Sequence, residues 1–313
     1  MSLSSSSLFS DLDVEVIPDA PLGAMTWYGI GGRADLLVRP RTVVALETLA
    51  RRCARSGTPL RVLGNGANLL VADEGVDGIV VRLDQPVFRE VRYNQTGEIQ
   101  LMRAMAGADL AKTLMETVRR GMDGLVPLAG IPASIGGAIR MNAGGAYGAI
   151  AEAVDSVTCI SRNGRRVTYP ASELVFDYRS TNIPDPIILA AVFRLVPDDP
   201  VRVRARVKEI FEYKKSTQPL ADHSAGCAFK NPFDPVQEER RSAGRLIDEA
   251  GLKGLRIGGA TISRHHANFI VAEPGASASD VEQLLAEVRR RVFERSGLEL
   301  EEEVVIWRRG DPS

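Results

Sequence analysis

The chain has 313 residues, 44% of them apolar and 25% charged, with a net charge of −1. At roughly 100 to 200 residues per domain this leaves room for two or three domains with true cores, and it excludes wholesale disorder and a membrane-spanning class. Balanced charge with only 5% aromatics excludes the basic stripe and stacking platforms of a general nucleic-acid binder, but not a local site for one anionic small molecule.

The start, MSLSSSSLFSDLD, has no Lys or Arg ahead of a short apolar stretch, so it lacks the form of a signal peptide, and residues 1–20 are expected to be a disordered tail. Asp35 to Val38 reads as a strand stopped by Pro40. Val43, Leu46, Leu49, Ala50 and Cys53 then recur at helical spacing until Gly57. Leu60 to Leu63 resumes as a strand, the turn GNGAN (Gly64 to Asn68) follows, and LLVAD and GIVVRL are short apolar runs of the kind buried strands have. Residues 21–84 form a first α/β unit on this basis.

A second unit, residues 85–216, begins with a hairpin, Val87 to Tyr93 and Glu98 to Ala104, about Gln95, Thr96 and Gly97. A helix from Asp109 to Arg120 ends at Gly121. The glycine-dense stretch GLVPLAGIPASIGGAIRMNAGGAYG has too little periodicity for either regular element. Strands at Val154 to Ser161 and Arg166 to Tyr169, a long apolar strand from Ile187 to Val196, and a helix from Val201 to Ser216 complete the unit. The third unit, residues 217–313, holds SAGCAFKNP, a helix around Ser242 to Ala250, the strand-like ANFIVA, a helix with Val281, Leu284, Leu285, Val288, Val292 and Phe293 on one stripe capped by Gly297, and a final strand LELEEEVVIW. No window approaches the ~18 apolar residues of a membrane helix.

GIGGRA (Gly29 to Ala34) satisfies the dinucleotide fingerprint only formally, because a strand ending in Pro40 follows it where the motif needs a helix. GNGAN and AGIPASIGGAIRMNAGG are more informative. Glycines let backbone N–H groups approach phosphate oxygens, and two such loops in adjacent units suggest a dinucleotide, against the alternative that they only turn the chain. His265 and His266 are adjacent and point apart, and no metal site is indicated. Cys53, Cys159 and Cys227 are odd in number and far apart, which speaks against disulfides and for a reducing cytoplasm. His223 lies four residues before Cys227, which leaves a thiol hydrolase open. Cys227 stands apart from the other two cysteines because a polar break, Phe-Lys-Asn-Pro, follows soon after it.

Taken in order, TWYGIGGRAD, RVLGNGANLLVAD, AGIPASIGGAIRMNAGGAYG, FDYRSTNI, SAGCAFKNP, SAGRLIDEAGLKGLRIGGATISRHHANFIV and GLELEEEVVIW resemble the UDP-N-acetylenolpyruvoylglucosamine reductase family, from about Thr26 to Trp307. The resemblance implies an α+β fold: a two-part FAD-binding unit of the vanillyl-alcohol-oxidase type and a C-terminal α/β substrate-binding domain. It implies noncovalent FAD bound through Gly64, Asn65, Gly66, Ala67, Asn68, Gly130, Ile131, Ser134, Gly136, Gly137, Asn142 and Gly144. NADPH would reduce the flavin, which would then pass hydride to UDP-N-acetylglucosamine enolpyruvate. Arg179 and Glu303 match the pair that polarises the substrate carboxylate, Glu303 with a raised pKa, and Cys227 takes the proton-donor place where many relatives have serine. Lys230 and Asn231 are expected to contact substrate, Lys230 at the diphosphate. Only PDDP follows the strand after YRST, so the chain resembles the branch without a tyrosine-bearing insertion there. A monomer is expected. A flavoprotein oxidase with another substrate, or a nucleotide-sugar sensor that keeps FAD as a structural element, are the competing readings.

Overall fold

The computed structural model describes residues 8–96 and 99–312, and Gly97 of the expected hairpin turn and Glu98 of its second strand lie outside the described residues. The first unit is a four-stranded sheet in the order β1 (Val14–Ala20), β2 (Ala34–Pro40), β5 (Val76–Arg82), β3 (Leu60–Leu63), with β2, β5 and β3 parallel and β1 antiparallel at the edge. Helix α1 (Val43–Ser56) forms where the 3.6-residue apolar spacing predicts. The Thr42 side chain accepts from Ala45 N at its start, and Gly57 ends it in the left-handed conformation.

The expectation of a disordered tail over residues 1–20 is corrected for its second half: residues 14–20 are the edge strand β1. Pro18, opposite Leu36, cannot donate a ladder hydrogen bond, which an edge position tolerates and a central one does not. Residues 1–7 lie outside the described residues.

The second unit is an antiparallel sheet in the order 166–170, 154–160, 187–197, β7 (Ile99–Met105), β6 (Val91–Thr96). Two helices, α2 (Leu110–Arg119), capped by Asp109, and α4 (Pro200–Thr217), capped by Asp199, pack beside it. The glycine-dense stretch is not wholly irregular. Ser134 accepts from Gly137 N and starts a short helix, α3 (Ile135–Arg140), whose Ile135, Ala138 and Ile139 are buried. Burial of that face outweighs the poor propensity of two adjacent glycines.

The third unit packs α5 (Ala243–Glu249) and α6 (Ala278–Ser296) on a small antiparallel sheet of 256–257, 260–262 and 270–272. The final strand is shorter than LELEEEVVIW suggests, spanning Val305–Trp307 only, and it pairs in parallel with β4 (Leu69–Val71) of the first unit. One core runs continuously from the first unit into the second, and another combines Tyr28 and Leu70 of the first with α5 and α6 of the third. These shared cores position the loops between them.

Candidate active site

A cleft of about 1110 Å³ runs between the units, bordered by both glycine loops, the FDYRST hairpin, the SAGCAF segment and Glu303. The loops touch. A Cβ on Gly64 would sit 2.7 Å from Ser134 Oγ, so close approach of the two loops demands glycine there. Asn65 Nδ2 donates to Asp109 Oδ2 at 3.4 Å, tying the first loop to the start of α2. Gly66, at φ +67, accepts at its carbonyl from Trp27 N at 3.0 Å, and Tyr28, next to Trp27, is buried in the third unit's core. The TWYGIGG segment is thus the strut that sets the first loop against the SAGCAF segment.

The sequence-derived cofactor set borders the cleft in all but one position. Asn142 is buried beside it, in a left-handed conformation (φ +40), and donates through Nδ2 to Asp177 O at 2.9 Å. Its Oδ1 is buried with no partner among the described residues. That orphaned acceptor, together with the loop backbone around Gly137 and Gly145, suits a flat heteroaromatic with ring N–H groups and a phosphate chain. Around Gly137 a Cβ would meet only Ser134 Oγ, at 3.3 Å, and around Gly145 nothing within 4 Å. Gly137→Leu is therefore expected to cut FAD occupancy at least tenfold while circular dichroism stays native. Gly66 is a worse probe, since a Cβ there would meet Met25 O at 2.8 Å and strain the backbone as well. Flavin content equal to the parent's in Gly137→Leu would remove this loop from the cofactor site.

Arg179 sits at the tip of a hairpin, Phe176–Asp177 pairing with Ser180–Thr181, in a left-handed conformation (φ +58). A non-glycine residue there costs on the order of 1 kcal/mol or more, and such strain collects at functional sites. Its Nε donates to Glu303 Oε1 in a mostly buried ion pair. Burial raises the Glu303 carboxyl above the usual range, and Arg179 only partly offsets this. Burial alone would lower Arg179, but Glu303 more than compensates and keeps the guanidinium charged.

Glu303 and Cys227 come together because their segments run side by side. Glu303 N donates to Ala228 O at 2.8 Å, Lys230 N to Glu301 O at 2.8 Å, and Phe229 bridges Glu302. Asn68, expected at the cofactor, also donates through Nδ2 to Glu303 O at 3.0 Å, so the first loop helps place the carboxylate. Cys227 is half-buried. Burial, reinforced by Glu303, pushes its thiol up to about 12, against the weaker opposing effects of Arg179 and of the Asn268 side chain. It is therefore a thiol, not a thiolate, at neutral pH. His223 is exposed, with Nδ1 3.3 Å from Trp27 O, and a thiol held up to about 12 speaks against a Cys/His nucleophile.

Of the two expected substrate contacts, Asn231 borders the cleft, with Oδ1 accepting from Ala243 N at 2.9 Å. Lys230 does not border it: its Nζ pairs with Glu301 instead, because the extended 227–231 segment alternates faces. Two residues that the sequence did not single out matter here. Asn268, 3% exposed, bonds both Phe229 N and Phe229 O and holds the Cys227 segment. Tyr178 lines the cleft and accepts from Asn231 N at 3.3 Å, its ring lying under Arg240. A polar residue in an apolar run (ANFIVA) was the available signal for the first. For the second it was its place beside Arg179 in FDYRST.

The fold and cleft are those of a flavin-binding protein, and the FAD binding domain family matches residues 34–169. The C-terminal domain of UDP-N-acetylenolpyruvoylglucosamine reductase matches residues 218–307. Reductases of that name from Desulfosudis oleivorans and Moorella thermoacetica are each 38% identical to this chain, over 92% of it and 93% of the first, and 97% of it and 97% of the second. The crystal structure of the Thermus caldophilus reductase superposes with a TM-score of 0.76 at 39% identity, covering 94% of this chain and 99% of its own. The chain belongs to the UDP-N-acetylenolpyruvoylglucosamine reductase family, which sets the oxidase and sensor readings aside.

Proposed function

We infer that this chain reduces UDP-N-acetylglucosamine enolpyruvate to UDP-N-acetylmuramate with NADPH, in peptidoglycan precursor synthesis, and that Arg179, Glu303 and Cys227 carry the chemistry. The observation behind the residue roles is the buried Arg179–Glu303 pair beside a protonated thiol in one cleft. Bound FAD supplies hydride transfer, from NADPH and then to the terminal carbon of the enol ether.

Arg179 polarises the enolpyruvyl carboxylate as negative charge spreads toward it, a preorganised electrostatic contribution in a partly water-excluded site. Glu303 orients Arg179 and, with its raised pKa, shares a proton with the developing enolate. Cys227 Sγ then gives its proton to the second carbon, and solvent restores it. The two glycine loops and Ser134 hold the flavin, and Asn231 contacts the substrate. Tyr178, fixed by Asn231 N–H and Arg240, lines the cleft beside Arg179 and helps enclose the substrate. Both glycine loops and Arg179, Cys227 and Glu303 line one cleft of a single chain, which supports a monomer. Free thiols at Cys53, Cys159 and Cys227 support a reducing cytoplasm. No helix among the described residues is long and apolar enough to cross a membrane.

The test is colour under anaerobic conditions. The purified protein should be yellow, release all its flavin on acid precipitation, bleach with NADPH, and regain colour rapidly with the enolpyruvyl nucleotide. Slow recolouring with that nucleotide, no faster than in buffer, would rule out the reaction.

A further inference from the structure

Lys214 is a charge that the reaction above leaves unused. It lies in the last turn of α4, is 8% exposed, and donates through Nζ to Ala129 O at 2.6 Å. A lysine in a last helical turn usually answers its own helix's carbonyls. This one reaches across instead to the loop before Gly130, where a Cβ on Gly130 would meet Lys214 Cδ at 3.1 Å. Both residues border the cleft.

No carboxylate pairs with it among the described residues, and the charge that acts on it is Arg179, of like sign. Burial lowers it to about 8, as expected of an ammonium taken out of water without a counter-ion. Arg179 is matched by Glu303 and Lys230 by Glu301. Lys214 is therefore a cleft cation poised for an anion that the protein does not itself provide.

Its place says which anion. α4 packs on the 126–128 turn and on α2, in the unit that carries the second glycine loop, and the ammonium is anchored to Ala129 at the start of that loop. Hydride from NADPH brings two electrons and one proton to the ring's N5. NADP⁺ departs, and the ring keeps one negative charge, shared between N1 and the adjoining carbonyl. We propose that Lys214 supplies the positive charge that stabilises this reduced-flavin anion and so raises the flavin's reduction potential. The proposal rests on FAD being the cofactor.

Lys214→Met removes the charge, Lys214→Gln removes it but keeps a donor for Ala129 O, and Lys214→Arg keeps it. In the FAD-loaded enzyme, the neutral variants are expected to make flavin reduction less favourable by about tenfold or more, roughly 30 mV per tenfold for a two-electron couple, as read by equilibration with a reference dye. Sulfite adds to N5 and leaves the same ring charge, so its dissociation constant should rise by a similar factor. Lys214→Arg should stay near the parent in both measurements. Unchanged potential and sulfite affinity in a flavin-bearing neutral variant would overturn the proposal, and a rise only in KM for the enolpyruvyl nucleotide would assign the charge to that substrate instead. Loss of flavin from both neutral variants, with Lys214→Arg retaining it, would assign the charge to holding FAD rather than to setting its potential and would overturn the proposal. A parent protein that binds no FAD would sink the functional reading itself, a separate result.

Discussion

Glu303→Gln is expected to leave bleaching by NADPH within a few-fold of the parent and to slow reoxidation by the enolpyruvyl nucleotide about a hundredfold or more. Only the second half-reaction builds negative charge on the enolpyruvyl group, and removing one preorganised electrostatic partner typically costs that much. Glutamine keeps an oxygen for Arg179 but can neither carry the charge that holds the guanidinium in place nor share a proton with the enolate. Arg179→Lys should behave likewise, because an ammonium offers a point charge where the planar fork reaches both Glu303 and a carboxylate. Controls lie next door. Glu301 is exposed and pairs with Lys230, and Glu302 meets Arg289 at 3.4 Å. Surface pairs of this kind contribute about 0–1 kcal/mol, so Glu301→Gln and Glu302→Gln should keep both half-reactions. Equal slowing of the two half-reactions in Glu303→Gln would move the residue from chemistry to cofactor binding or folding.

What the sequence revealed and what it hid follow from how local the determining physics is. α1, α2 and α6 were legible because caps and periodicity lie within each segment: Thr42 and Gly57, Asp109, Ser277 and Gly297 mark their ends. β1 was hidden because a serine-rich lead and Pro18 argue locally against a strand, and only pairing with β2 makes one. α3 was hidden because its glycines are needed where loops meet, at Ser134 and Ala106, and its helix is stabilised by burial that no local pattern encodes.

The site divides the same way. Arg179, Cys227 and Glu303 could be singled out because each sits in a short recognisable motif, and the structure brings all three to one cleft. Their mutual placement depends on pairing of the 227–230 and 301–303 segments, which lie over 70 residues apart. Lys230, expected at the diphosphate from its motif, lies off the cleft, because the extended chain turns alternate side chains away from it and Glu301 takes the ammonium. Asn68 and Asn142, expected at the cofactor, also carry hydrogen bonds to Glu303 O and Asp177 O. Cofactor loops and catalytic segments are thus one hydrogen-bonded structure, and a substitution in either is expected to be felt in the other.

Cys227→Ser should retain substantial turnover, and Cys227→Ala should lose most product formation in the second half-reaction, the lost step being proton delivery rather than hydride transfer. A hydroxyl has nearly the same geometry as the thiol, and either group delivers a proton to the second carbon, whereas alanine leaves the step to solvent. In heavy water the alanine variant should then give slow or stereochemically scrambled delivery at that carbon. The structure adds a constraint that sequence alone did not supply. An ordinary thiol titrates near 8.5, but burial and the neighbouring Glu303 hold this one up to about 12. The sign is that of an acid whose neutral form is favoured, so the donor stays protonated from neutral pH well into the alkaline range, and activity should show no decline assignable to the thiol below about pH 10. Alkylation requires the thiolate, so iodoacetamide at pH 8 should modify Cys227 far more slowly than an exposed cysteine. A serine variant with almost no activity and a trappable covalent adduct in the parent would restore a nucleophilic role. Full activity in Cys227→Ala would leave the thiol as packing between Asn268 and Glu303.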